Sequence, residues 1–313
     1  MKIKKTIVKL IVYGTILLST TFLFKNIAKE KTGNFSNIAN NLSNVDNTSY
    51  YFVGSSRVQK SINPEILRKN FNNKNIHNVG ISGSTFLSNC ILAEYLIKKQ
   101  KSSTIFIELS PVIPKLATGL IKFSDEVNLD LLKSFNQFNK YENVRKKLFN
   151  TLNVLNHYSF SKLTVKENIK EVLGQPNLND EKRLMGFVSV NENNFNSTTP
   201  FITYKEINSS FKQNEELNTH KNYINHLLKL GKQYNSKVVF FLPVTYRNQK
   251  EKNIVIPLFQ ELPDSLKIKY SEKFIKTITD SKYLSDNNHL NNIGAKKYSQ
   301  LLGPLLGTYF ENK

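Results

Sequence analysis

The sequence predicts an α/β domain on a central parallel sheet, and three observations lead there. Short apolar runs rich in β-branched and aromatic residues recur along the chain. Helical patterns separate them. Several of the runs end in glycine and hydroxyl residues, at the strand ends where open α/β sheets place their chemistry. Strands alternating with helices imply parallel pairing through right-handed crossovers.

The first run, "YYFVGSSRVQKSINPEIL" from Tyr50 to Leu67, stops at Gly-Ser-Ser-Arg and turns helical. Tyr51, Phe52 and Val53 read as a short core strand. Asn63, Pro64 and Glu65 read as a helix start: a polar cap, proline in the first turn and an acid near the positive end of the dipole. "NIHNVGISG" supplies a second strand ending near Val79, followed by a helix from about Ser84 to Lys99. In "STIFIELS", Ile105, Phe106 and Ile107 form a continuous apolar run suited to a central parallel strand. "SKVVFFLPV" gives a fourth strand at Val238 to Leu242, after a helix in "THKNYINHLLKLGKQY". The close, "KFIKTITDSKYLSDNNHLNNIGAKKYSQLLGPLL", reads as a short strand, a loop and a terminal helix. An insertion at about 112–235 separates the third and fourth strands. It is partly helical ("NLDLLKSFNQF", "YENVRKKLFNTLNVLNHY") and partly polar and Asn-rich, and segments of this kind serve as lids or substrate walls.

At the amino terminus, residues 1–29 combine lysines at 2, 4 and 5 with an apolar segment from Ile7 to Phe24 broken by Lys9. This fits an uncleaved transmembrane anchor or a signal segment, with the rest of the chain outside the cytoplasm. Residues 30–48, rich in Asn and Ser, read as a tether, and 49–313 as the α/β domain.

The formal net charge of +20 comes with scattered lysines and no aromatic-interleaved basic stripe, so an anionic glycan or lipid suits it and nucleic acid does not. A single cysteine, Cys90, excludes an intramolecular disulfide framework and multi-cysteine metal sites, and its place in an apolar stripe makes it a core filler. His226, in an amphipathic helix, reads as structural.

Three pieces at strand ends carry the chemistry: "GSSR" (Gly54 to Arg57), "NVGISGST" (Asn78 to Thr85) and "DNNHLN" (Asp286 to Asn291). A serine hydroxyl needs an adjacent base to act as a nucleophile. Imidazole supplies one when a carboxylate fixes its tautomer. Asp286 and His289, three apart on one loop, can meet without help from elsewhere in the fold.

With these pieces the chain resembles the SGNH/GDSL hydrolase superfamily over about Tyr50 to Leu306. The resemblance implies a three-layer flavodoxin-like domain. "GSSR" matches the first block with Ser56 as nucleophile, "NVGISGST" the second with Gly83 donating an oxyanion N–H beside that of Ser56, and "DNNHLN" the fifth with Asp286 and His289 as acid and base. In the third block the family carries an oxyanion-hole asparagine. Here the stretch is "ELSPVIPK", with Val112 at that place, so either Ser110 or an asparagine substitutes, or the enzyme is slow, specialised or inactive. The Gly-Ser-Ser start and long insertion resemble membrane-anchored envelope branches, those of teichoic-acid D-alanylation and exopolysaccharide O-acetylation. An extracytoplasmic esterase or O-acyltransferase on an acylated envelope glycan or polymer is what this implies, with a membrane-bound acyltransferase as partner, Arg57, Tyr246 and Arg247 as substrate binders, and no metal or organic cofactor. The competing expectations are a non-catalytic envelope scaffold and a protein binding anionic glycan through charge.

Overall fold

The computed structural model describes residues 49–72, 74–110, 186–191, 215–243 and 255–310, with scattered residues between 6 and 19 and between 134 and 151. Four parallel strands, β1 (Ser49–Gly54), β2 (Asn75–Gly80), β3 (Thr104–Glu108) and β4 (Lys237–Phe241), form one sheet in the order β2-β1-β3-β4. The registers Tyr51↔His77, Tyr51↔Ile105 and Ile105↔Val238 align their carboxyl ends at one edge.

Alternation of side chains along each strand feeds two cores, one per face. On one face Tyr51, Val53, Ile105, Ile107, Val238 and Phe240 pack against α3 (Phe86–Lys99), α4 (Glu215–Gln233) and α5 (Ile256–Glu261). On the other, Tyr50, Phe52, Phe106, Val239 and Phe241 pack against α1 (Ser56–Ser61), α2 (Pro64–Asn70), α6 (Glu272–Ile278) and α7 (Asn292–Phe310). Because both faces are covered, β1, β3 and β4 read as near-continuous apolar runs, while the edge strand β2 carries Asn75, His77 and Asn78. Cys90 is buried and free, in the first of these cores, as its apolar stripe suggested.

Local signals set the element ends. Asn63 caps α2 by accepting the Glu65 N–H at 3.0 Å. Thr85 caps α3 through the Ser88 N–H. The strand expected in "KFIKTITDSKY" is instead helix α6. Ser271 caps it by accepting the Phe274 N–H, Glu272 supplies the first-turn acid, and Phe274 and Ile278, four apart, share the buried face. The β-branched residues there were outvoted by a capping signal and a helical apolar spacing. The helix expected after Gly-Ser-Ser-Arg, with its start read at Asn63, is two helices, α1 from Ser56 and α2 from Pro64. Within the expected insertion, residues 134–138 are helical, and Phe135 and Phe138 join the first core. No helix among the described residues is long and apolar enough to cross a membrane. Most of 1–29, where an anchor or signal segment was expected, and all of 30–48, where a tether was expected, lie outside them.

His226 is structural as expected: its Nε2 meets the fully buried carboxylate of Glu94 at 2.8 Å, tying α4 to α3. Lys98 holds the same carboxylate. Burial alone would raise the Glu94 carboxyl, but the hydrogen bonds from His226 and Lys98 prevail and hold it below its ordinary value.

His77 makes a testable exception within the sheet. It is 9% exposed and stacks on Tyr51 with centroids 5.1 Å apart. Burial, helped by the nearby Arg68 charge, pushes its imidazole down to about 4. Between pH 6.5 and 4 the unfolded chain therefore binds a proton that the folded chain refuses, and stability falls as the pH falls. Denaturant titrations of wild type and His77→Phe should show the wild type losing about 3 kcal/mol relative to the variant between pH 7 and 4. A pH-independent difference between the two would contradict this.

Candidate active site

At the end of β1 the chain enters α1 with no connecting loop. Gly54 permits this, because a Cβ there would stand 2.2 Å from Val58 Cγ2 and 2.5 Å from Glu108 Oε2. Ser55 is the N-cap: its backbone is extended and its Oγ accepts the Arg57 N–H at 3.2 Å. Ser56 is then the first helical residue. Its own N–H is among the first-turn donors that a helix leaves without an internal acceptor.

The Asp286–His289 loop runs from a 3₁₀ turn at Ser281–Tyr283 into α7. An isolated antiparallel bridge, Leu284↔Leu290, closes its neck, and Ser285 N–H donates to His289 O at 3.0 Å. Inside it the Asp286 carboxylate accepts the N–H groups of Asn288 (2.7 Å) and His289 (2.9 Å). Asn291 accepts the Gly294 N–H at 2.9 Å, capping the first turn of α7, and donates to Lys282 O at 2.8 Å.

The two loops meet. Ser56 Oγ lies 2.8 Å from His289 Nε2, and His289 Nδ1 lies 2.8 Å from Asp286 Oδ2 and 3.0 Å from Oδ1. Burial would raise the Asp286 carboxyl, but hydrogen bonds from the His289 ring and the Asn288 N–H outweigh it and keep the carboxyl below its ordinary value. Asp286 is thus an acceptor, which assigns the ring proton to Nδ1 and leaves Nε2 to accept from the Ser56 hydroxyl. The imidazole sits below its ordinary value. Burial is the main cause, with the Lys60 and Arg57 charges adding to it and Asp286 opposing. At neutral pH the ring is uncharged and able to take a proton.

Tertiary bonds hold the meeting point. Ser299 on α7 accepts the Asn63 N–H at 2.8 Å and donates to Ser61 O at 3.3 Å, fastening the helix after the histidine to that after the serine. Asn78, buried on β2, donates to Val58 O (2.8 Å) and Ile62 O (2.7 Å) and fixes the far end of α1. A strap from the insertion, residues 186–191, crosses both parts: Val188 N–H donates to Gln59 O at 3.0 Å, and Asn292 N–H to Val190 O at 2.7 Å. The sequence placed Asn78 in the "NVGISGST" piece but not its anchoring of α1, and the strap carried no positional signal in a polar insertion.

Gly83 lies in the β2–α3 turn at the same sheet edge, exposed, with φ of +68°. Ile81 N–H, two residues before it, donates to Gly54 O at 2.8 Å, and Ser84 N–H closes the turn onto Ile81 O. Asn89 links that turn to the end of β3, accepting from Ser84 Oγ at 2.6 Å and donating to Glu108 O at 3.1 Å. Ser110 is 3% exposed, and its hydroxyl has no hydrogen-bond partner among the described residues. Arg57 is largely covered and faces inward, its Nη2 2.7 Å from Glu108 Oε1, so only a minor part of it remains to meet a substrate. Val112, Tyr246 and Arg247 lie outside the described residues. Among those described, no group of three His, Cys, Asp or Glu is arranged to hold a metal ion.

Fold and geometry together define an α/β protein with a serine–histidine–aspartate chain at the carboxyl edge of a parallel sheet. No protein-family model and no curated protein matches this chain.

Proposed function

We propose that the protein is a serine ester hydrolase or O-acyltransferase of the SGNH type. The observation that carries the reading is the continuous Ser56–His289–Asp286 hydrogen-bond chain, with both links at 2.8 Å, joining residues 233 positions apart. The strand order and helices on both faces agree with a three-layer flavodoxin-like domain of that type.

In this reading Ser56 Oγ attacks an ester carbonyl while its proton passes to His289 Nε2. The tetrahedral oxyanion is met by the N–H groups of Ser56 and Gly83. On collapse the C–O bond to the leaving alcohol breaks, that oxygen takes the proton from Nε2, and the acyl group stays on Ser56. Water, or a sugar or polyol hydroxyl, then gives its proton to the imidazole and attacks the acyl carbon; the acyl–Oγ bond breaks and the imidazolium returns the proton to Ser56 Oγ. Asp286 keeps the ring oriented throughout and stabilises the transient imidazolium.

The apolar amino-terminal segment, the basic charge and the likeness to envelope-polymer branches support a membrane-tethered enzyme outside the cytoplasm, acting on acyl esters of an envelope glycan or polymer. A membrane-bound acyltransferase is the partner this reading calls for.

A fluorophosphonate probe applied to the full-length chain tests it. Wild type should be labelled on the peptide bearing Ser56 and Ser56→Ala not at all, whereas Ser55→Ala still reacts, more slowly because it loses the α1 cap. Equal labelling of the two alanine variants would remove the assignment.

A further inference from the structure

Directly beneath the nucleophile turn, β3 ends in a charge. Glu108 is 0% exposed, and its carboxylate meets three donors: Ser55 N–H at 2.6 Å, Ser55 Oγ at 3.1 Å and Arg57 Nη2 at 2.7 Å. The Arg57 side chain is 12% exposed, and its Nε reaches back towards Ser55 Oγ at 3.5 Å. Carboxylates are almost never fully buried without a partner, and a buried ion pair is a poor device for stability alone, because desolvation of two charges offsets much of their attraction. What such a pair does well is direct. Every interaction here falls on Ser55 or on the residue two positions after it.

We propose that Glu108 and Arg57 form a positioning clamp that fixes Ser55, so that Ser56 holds its hydroxyl towards His289 and its N–H towards the reacting carbonyl. The inference rests on the acyl-transfer reading above. The single Ser55 hydroxyl proton is spent on Glu108 Oε1, and its oxygen accepts the Arg57 N–H. That occupation explains why Ser55 is not the nucleophile although it adjoins one. Arg57 also neutralises Glu108, so that the anion below the turn does not oppose the negative charge developing on the carbonyl oxygen. Glu108 and Arg57 are positioning residues: neither bonds to the Ser56 or His289 side chain in the structure.

The test uses the full-length protein, a fluorophosphonate probe and p-nitrophenyl acetate. The main variant carries Glu108→Gln together with Arg57→Met, which removes both charges and leaves none buried alone. The labelling rate and kcat are expected to fall about 10²-fold, the cost of a small misplacement of a reacting group, with KM and thermal midpoint near those of wild type. Labelling of this variant at the wild-type rate would overturn the clamp while leaving the Ser56 assignment intact. A wild-type protein that does not label at all would bring down the acyl-transfer reading itself, and the clamp with it. Should the double variant fail to fold, Arg57→Lys decides: it keeps the charge but loses the planar fork. Slowed turnover at unchanged KM supports the clamp, and wild-type turnover overturns it.

Discussion

With His289 replaced by alanine, turnover of a simple acyl ester is expected to fall about 10⁴-fold or more, while the fold and thermal midpoint hold. The ring sits on a loop closed by its own backbone bonds, so its removal leaves the neck at Leu284 and Leu290 intact. What goes is the acceptor 2.8 Å from Ser56 Oγ, without which the hydroxyl stays protonated and a poor nucleophile. The pH profile of the wild type carries the same argument. Only the neutral imidazole accepts the proton, and burial with the Lys60 and Arg57 charges keeps the ring below 6.5. Activity should therefore persist as the pH drops past 6.5 and fail only at the depressed value. Steady-state rates on p-nitrophenyl acetate from pH 4 to 8 check both parts. Equal rates for wild type and His289→Ala would mean an α/β protein without turnover through this chain.

The second large effect is expected at Gly54. A methyl group there would stand 2.2 Å from Val58 Cγ2, 2.5 Å from Glu108 Oε2 and 2.8 Å from Glu108 Cβ. None of these is the free end of a flexible surface side chain, since Val58 and Glu108 are both buried. Relief requires α1 to lift from the sheet or Glu108 to leave Ser55, which would strand a carboxylate in the core. Gly54→Ala should cost about 3 kcal/mol or more, the sum of overpacking and a disturbed buried charge. Urea denaturation measures it, and an unchanged midpoint would show that the β1–α1 junction is looser than its contacts indicate. Fluorophosphonate labelling should be lost in parallel.

Much of this arrangement was legible before any coordinates. Three of the four strands were plain as apolar runs, because parallel strands covered on both faces are apolar, and "YYFV", "TIFIE" and "KVVFF" stand out against an Asn- and Lys-rich chain, whereas β2 carries Asn75, His77 and Asn78. The Asp286–His289 couple was legible because it is local: three residues on one loop suffice. By contrast, α6 was misread, since its isoleucines and threonines suit a strand and the cap at Ser271 was not weighed. Glu108 escaped notice for a different reason. In "ELSPVIPK" the signal is the missing asparagine, and a carboxylate at a strand end reads as an exposed terminus until its partners across the fold are seen.

The sequence by itself determined the four strands and most helices, the glycine and hydroxyl residues at the strand ends, and the Asp286–His289 pair on one loop. All of these follow from short-range periodicity, capping and spacing. The resemblance had already singled out Ser56 over Ser55; only the tertiary structure set its Oγ 2.8 Å from His289 Nε2, put Glu108 beneath that turn and turned Arg57 inward. The physical reason is that these outcomes depend on which strands become neighbours. Pairing β1 with both β2 and β3 sets Gly54 against Glu108 and α1 against α7, across separations in the chain that no local pattern spans.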